Sequence, residues 1–348
     1  MQQVLLALQR FALRLIANSC AKYPFVSGQV MKYKDRRMTA HQPLPSWRPG
    51  PRRDAILNFL HQVTNPESAC YVAPEDRIAT FDHDGTLWVE KPHVTEITFI
   101  KDLMQHDEIR PQPLCGTVQG FIRHSLAVFM EKVLKDTRWL LREWIDGVST
   151  DDYKNWVQCW LGKAKHPRFQ RPYPRLVYQP MLEVLALFRQ HGFRNYLVSG
   201  GSCYFIRAFS EEAYGIGPEQ ALGSQLMTRL RDKNGQLEVE LKPIPWFLDN
   251  GKGKVLCIES HIDRHPIAAF GNSRGDIAML RWAGQSKTSL CMLIHHTDAE
   301  REYAYCPGKK TLKAVSDYGW QLVDMKNDWL QIFPAEASTE NNKNTELN

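Results

Sequence analysis

Between residues 51 and 334 short runs of consecutive apolar positions alternate with stretches of helical periodicity. Residues 77–81, 194–198, 266–270 and 289–294 each read as a strand buried on both faces, bounded by glycine or polar residues. Residues 181–191, closing at Gly192, and residues 276–283 carry the 3.6-residue spacing of helices. Strand, helix, strand in this rhythm predicts a parallel sheet covered by helices. Asn234-Gly235, between apolar alternation over 226–230 and 237–241, predicts a hairpin with a two-residue turn. From residue 93 to 177 the rhythm stops, and the pattern turns helical over 118–133, 137–144 and 151–161. Trp139, Trp144, Trp156 and Trp160 concentrate there. That segment is expected to be a helical cap inserted into an α/β core made of residues 51–92 and 178–334.

The ends differ from the body. Residues 4–16 form an amphipathic pattern interrupted by Arg10 and Arg14, too broken for a signal-peptide core or a membrane span. Attachment to a membrane surface and packing on the protein's own body are both open readings. Residues 33–53 are polar, basic and proline-bearing, as in a linker or strap, and residues 335–348 have almost nothing to bury, as in a disordered tail.

Composition changes this picture in one respect. The formal charge is +6, but residues 1–50 hold eight Lys/Arg against a single acid, Asp35. That arm carries +7 and the remainder of the chain −1, so the body offers no broad basic face to a nucleic acid. At 348 residues with 43% hydrophobic content the chain needs no disulfide staples. Its eight cysteines are scattered singly, as buried thiols in a reducing compartment would be; this favours the cytoplasm, with membrane-surface association or export through the arm as alternatives.

The chemistry gathers at the ends of the expected strands. Asp82 and Asp84 stand two residues apart in Phe81-Asp82-His83-Asp84-Gly85-Thr86-Leu87, where both carboxylates can face the crevice of an open α/β sheet. One can attack an electrophile while the other manages a proton. Ser199-Gly200-Gly201 places a hydroxyl and backbone amides after the second strand. Asn250-Gly251-Lys252-Gly253-Lys254 supplies a cation. Asn272 and Asp276, in Phe270-Gly271-Asn272-Ser273-Arg274-Gly275-Asp276, supply oxygen ligands suited to Mg²⁺. The separations from Asp82 to Ser199, Ser199 to Lys254 and Lys254 to Asp276 are 117, 55 and 22 residues.

With this set in order, the sequence over roughly residues 54–333 resembles the haloacid dehalogenase-like (HAD) hydrolase superfamily, in its phosphoserine-phosphatase-like branch. The resemblance implies a HAD-like Rossmannoid core with a helical cap, Mg²⁺ as cofactor, and a small phosphorylated metabolite as substrate. It assigns Asp82 as nucleophile, Asp84 as general acid and base, Ser199 and Lys254 as phosphoryl contacts, and Thr86, Gly200 and Gly201 to substrate binding. Asp82, Asp84, Asn272 and Asp276 would hold the metal. The branch that cleaves carbon–halogen bonds lacks the second aspartate, so Asp84 favours phosphate ester hydrolysis. Two features depart from the pattern: Asn272 stands where many relatives carry aspartate, and Lys252 shares the loop of Lys254.

The expected activity is a Mg²⁺-dependent phosphomonoesterase working through an aspartyl-phosphate. A phosphotransferase with the same intermediate and a catalytically idle interaction protein of this fold are the alternatives. Among further candidates, His295 and His296 follow the strand at 289–294 and are read as hydrogen-bonded structure. Glu90, Lys91 and Arg207 are read as surface charges unless they face the leaving group.

Overall fold

A computed structural model describes residues 43–105 and 145–335. Seven strands form one sheet: β1 (Ile78–Phe81), β2 (Arg194–Ser202), β3 (Ala221–Lys233), β4 (Gln236–Phe247), β5 (Ala268–Gly271), β6 (Leu290–His295) and β7 (Gln321–Asp324). Their order across the sheet is β4-β3-β2-β1-β5-β6-β7, all parallel except the β3/β4 pair. β1, β5 and most of β6 are buried without alternation, as apolar runs covered on both faces must be. The chain runs outward from β1 through β2 to β4, then returns to the other side of β1 with β5. This reversal opens a crevice beyond the carboxyl ends of β2, β1 and β5.

Register sets what lies in that crevice. Phe81 pairs with Leu197 on one side and Phe270 on the other, so Asp82, Ser199 and Asn272 all emerge just past the same row. The Asp82 amide donates to the Phe270 carbonyl at 2.9 Å, and the Phe81 and Phe270 rings stack beneath it with centroids 4.6 Å apart. A stacked aromatic pair under the ladder leaves the first catalytic candidate little freedom to shift.

The main helices are α1 (Pro51–Thr64), α2 (Thr95–Gln105), α3 (Thr150–Lys163), α4 (Gln179–Gln190), α5 (Lys252–Ile262), α6 (Ile277–Ala283) and α7 (Lys309–Tyr318). α4 is buried from Pro180 to Phe188, because the strap before α1 covers the side turned away from the sheet. Trp47 donates from its indole nitrogen to the Pro180 carbonyl, and Ser46 donates twice to the Glu183 carboxylate. Leu44 and Trp47 are wholly buried, so the proline-bearing segment at 43–50 is part of the core. Phe99 of α2 and Tyr153, Val157 and Leu161 of α3 join one apolar cluster with Leu87, Trp88 and Phe205.

The hairpin turns at Asn234-Gly235 with both residues at positive φ (59° and 84°), as its sequence requires. Its strands extend beyond the expected ones, because the first residues of β3 pair with β2 while the rest pair with β4. The helices expected at 4–16, 118–133 and 137–144 and the tail at 336–348 lie outside the described residues. Among the described residues no helix is long and apolar enough to cross a membrane.

Candidate active site

Three strand ends and one helix converge at the crevice. After β1 the chain turns sharply: the Thr86 and Leu87 amides donate to the His83 carbonyl, and Gly85 takes φ +77° while its amide donates to Trp88. A side chain at Gly85 would meet the Asn272 carboxamide and the Tyr305 hydroxyl, so only glycine lets the turn lie against the loop after β5. The turn returns the Thr86 hydroxyl to Asp82 Oδ2 at 3.1 Å. It also places the Trp88 indole N–H 2.8 Å from Asp84 Oδ1.

Lys254 lies in the first turn of α5, which packs closely on the segment after β4 because residue 253 is glycine: a Cβ there would overlap the Leu248 carbonyl. Its ammonium is buried and donates three hydrogen bonds, to Asp82 Oδ1 at 2.5 Å, Asp276 Oδ1 at 2.7 Å and the Val198 carbonyl at 2.7 Å. Lys252 is exposed. Burial alone would lower the Lys254 pKa, but Asp276 and Asp82 outweigh it and hold the ammonium protonated. Burial together with the Asp276 charge pushes the Asp82 carboxyl up to about 8 against the opposing pull of Lys254. One buried cation thus faces two carboxyl groups, and with both ionised the trio would carry −1.

Asp276 is the most heavily bonded member. Its Oδ2 accepts from the Asn272 amide, the Ser273 amide and the Ser273 hydroxyl at 2.8–3.1 Å, closing a capping box before α6. Asn272 is buried, and neither polar atom of its carboxamide has a hydrogen-bond partner. An unpaired buried amide beside two carboxyl groups is costly unless something else fills the gap. Ser199 is buried at the end of the regular part of β2, where its Oγ accepts from the Gly201 amide at 3.1 Å. Gly200 and Gly201 continue that loop, and a Cβ on Gly201 would lie 3.0 Å from Glu96 Oε2, 3.4 Å from Ser199 Oγ and 3.9 Å from Asp84 Oδ2. The nine residues that the resemblance assigns to the site therefore lie at the carboxyl ends of β1, β2 and β5 or in the first turn of α5.

Several participants were not legible in the sequence. Trp88 bonds Asp84 across a turn whose shape no spacing rule encodes. Asp249 is fully buried just before the lysine loop, its carboxyl pushed up to about 7 by burial against the pull of Lys254. Its adjacency to Asn250 was the available signal. Glu96 of α2 accepts from the Ser202 amide at 2.8 Å, reaching the Ser199–Ser202 loop from the segment expected to form the cap.

The secondary candidates separate. His296 lies between the Gly85 carbonyl (Nε2, 2.7 Å) and Glu302 (Nδ1, 3.0 Å) and stacks on Tyr305, so it buttresses the turn after β1. His295 is half-buried, and burial lowers its pKa. Arg207 donates to the Ala221 carbonyl, and Lys91 lies 3.6 Å from Glu90, whose carboxyl burial pushes up. Among the described residues no group of three or more His, Cys, Asp or Glu side chains is arranged to hold a metal; the oxygen donors here include a carboxamide and backbone.

No curated protein matches the sequence. Among solved structures, a conserved, functionally unknown protein from Anaerococcus prevotii DSM 20548 shares 16% identity over 77% of this chain and 90% of its own, with a TM-score of 0.52. A protein of unknown function from Bordetella pertussis Tohama I shares 15% identity over 72% and 98%, with a TM-score of 0.46. A probable phosphoserine phosphatase from Vibrio cholerae shares 12% over 70% and 65%, with a TM-score of 0.36. The haloacid dehalogenase-like hydrolase family profile matches residues 79–281, which run from β1 to α6 and span every residue of the site. With its profile covering more than half of the sequence, the chain belongs to the haloacid dehalogenase-like hydrolases.

Proposed function

We propose that the protein is a Mg²⁺-dependent phosphomonoesterase that hydrolyses a small organic phosphate through an aspartyl-phosphate on Asp82. The observation that carries this reading is the buried ammonium of Lys254 held against Asp82 and Asp276, with Ser199 and Asp84 facing the same crevice. A carboxylate attacking a phosphate dianion meets like charge, so the site needs fixed cations where the phosphoryl oxygens arrive.

The residues present fit a divalent metal. Lys254 leaves the trio one positive charge short, and the buried Asn272 carboxamide lacks a partner. Asp82, the Asp84 backbone carbonyl and Asn272 would hold Mg²⁺, an oxygen set suited to a hard cation. Asp276 would act mainly through the lysine and the loop, since its Oδ2 is committed to three donors. Bound Mg²⁺ would supply neutralisation of the phosphoryl oxygens.

In the first step an Asp82 oxygen bonds to phosphorus as the ester P–O bond breaks, and Asp84 gives its proton to the leaving oxygen. Asp84 then takes a proton from water, the water oxygen bonds to phosphorus, and Asp82 is released with inorganic phosphate. Lys254 and Ser199, with the Gly200 and Gly201 amides, would hold the phosphoryl oxygens through both steps. Residues 93–177 would act as a cap that shields the intermediate, Glu96 bringing α2 over the Ser199 loop.

A metabolite phosphate panel assayed with and without Mg²⁺ tests the proposal. Metal-dependent phosphate release by the wild type and its loss in Asp82→Asn are expected; undiminished turnover in Asp82→Asn would overturn the mechanism.

A further inference from the structure

We infer that Trp88 is a positioning residue for the general acid: it anchors Asp84 by Oδ1, leaving Oδ2 as the oxygen that carries the transferred proton. This deepens the proposed phosphatase reading and rests on it. An indole N–H donates and cannot accept, so Asp84 Oδ1 must act as the acceptor across the 2.8 Å contact, a role that a carbonyl or carboxylate oxygen fills better than a hydroxyl oxygen. The contact therefore favours the proton on Oδ2. That oxygen faces the Ser199–Gly201 loop, 3.9 Å from where a Cβ on Gly201 would sit, on the side where the phosphoryl group would bind. The His83 ring does not compete for it. Its Nδ1 is 3.8 Å from Oδ2, beyond hydrogen-bond reach, and its Nε2 is engaged with the Tyr214 hydroxyl at 3.1 Å.

The anchor is rigid. The Trp88 ring is wholly buried, stacked on Phe209 at 4.9 Å and tilted against His83 at 4.5 Å. Its backbone is fixed on both sides, the carbonyl by the Gly85 amide and the strand-like bridges by Asp84 and Val177. Without the indole N–H the carboxyl group can rotate, and the proton is shared between an oxygen aimed at the leaving group and one aimed into the apolar cluster. When the ester bond breaks, the O–H bond at Oδ2 breaks and a new O–H bond forms on the leaving oxygen. A leaving group basic enough to need that proton is penalised by misplacement, and an activated one is not.

The test compares kcat/KM of the Mg²⁺-loaded wild type and Trp88→Phe for glycerol phosphate and for dinitrophenyl phosphate. kcat/KM reports only the steps through leaving-group departure, so it isolates the acid role of Asp84. General acid catalysis contributes roughly 10²–10⁴-fold. Loss of its alignment is expected to lower the glycerol-to-dinitrophenyl ratio about 10-fold or more. Equal loss for both esters, which a merely structural role would give, overturns the inference, as does no loss for either. If Trp88→Phe does not fold, the bond is read instead from indole N–H resonances in Asp84→Ala. One resonance is expected to move upfield by an amount that marks a lost hydrogen bond, and an unchanged indole spectrum overturns the inference. A wild type inactive toward these two esters and across the metabolite phosphate panel overturns the phosphatase reading itself, a result distinct from an active wild type whose ester ratio ignores Trp88.

Discussion

Replacing Lys254 with methionine keeps a long unbranched side chain in the pocket and removes only the ammonium that Asp82 and Asp276 share. In the wild type three donor contacts of 2.5–2.7 Å hold that charge in a buried site. Removing one member of a buried ion pair costs about 3–5 kcal/mol, because the group left behind has neither water nor partner. For a domain of this size that corresponds to a fall of roughly 6–10 °C in Tm. The deficit should depend on pH. Asp82 already has its pKa raised to about 8 by burial and by Asp276, and losing Lys254 raises it further. A carboxyl whose folded pKa lies above its unfolded value favours the fold at low pH and loses that contribution as pH rises through the folded value. Lys254→Met should therefore be closest to wild type near about pH 5 and furthest from it near about pH 8 to 9. Thermal melts at the two pH values, without and with Mg²⁺, measure this, the metal being expected to narrow the gap at high pH. A variant that melts within a degree of wild type at both pH values would refute the assignment of Lys254 as the neutralising charge.

Three other perturbations probe separate parts of the account. Gly85→Ala drives a Cβ into the Asn272 carboxamide at positive φ and should cost about 2–4 kcal/mol by denaturant titration, with loss of turnover beyond that explained by unfolding. Asp249→Asn removes a carboxyl that burial holds at about 7, so it should raise Tm most near about pH 8, less near about pH 5, and little only below about pH 4, where the unfolded chain also carries the proton. Asn272→Ala removes the unpartnered carboxamide and should weaken Mg²⁺ binding, read as at least a tenfold rise in the Mg²⁺ concentration that half-saturates the thermal upshift.

The site was more legible in the sequence than the layers around it. β1, β2, β5 and β6 contain apolar runs too short for helices and bounded by glycine or polar residues, and the motifs follow them directly. β7 was not expected: Gln321–Asp324 is short, lies at the sheet edge and is only partly buried, so it carries no continuous apolar run. The strap at 43–50 reads as a linker because prolines break it at three of eight positions, yet Leu44 and Trp47 bury completely against α4. Two large residues among polar ones give no period, so only the tertiary structure reveals them. Trp88 and Asp249 were missed for a related reason. Each acts through contacts made by a turn, and residue spacing does not record which way a turn aims its side chains.

The covalent step at Asp82 leaves a trappable acyl phosphate. Wild-type protein and Asp82→Asn, each mixed with Mg²⁺ and a phosphate ester that the wild type turns over, can be quenched in acid and treated with borohydride, which reduces an acyl phosphate to the alcohol. Peptide mapping of the wild type is predicted to show that reduction at residue 82 and at no other carboxylate. Turnover with no reducible acyl phosphate, or with the label on Asp84 or Asp276 in place of Asp82, would contradict it.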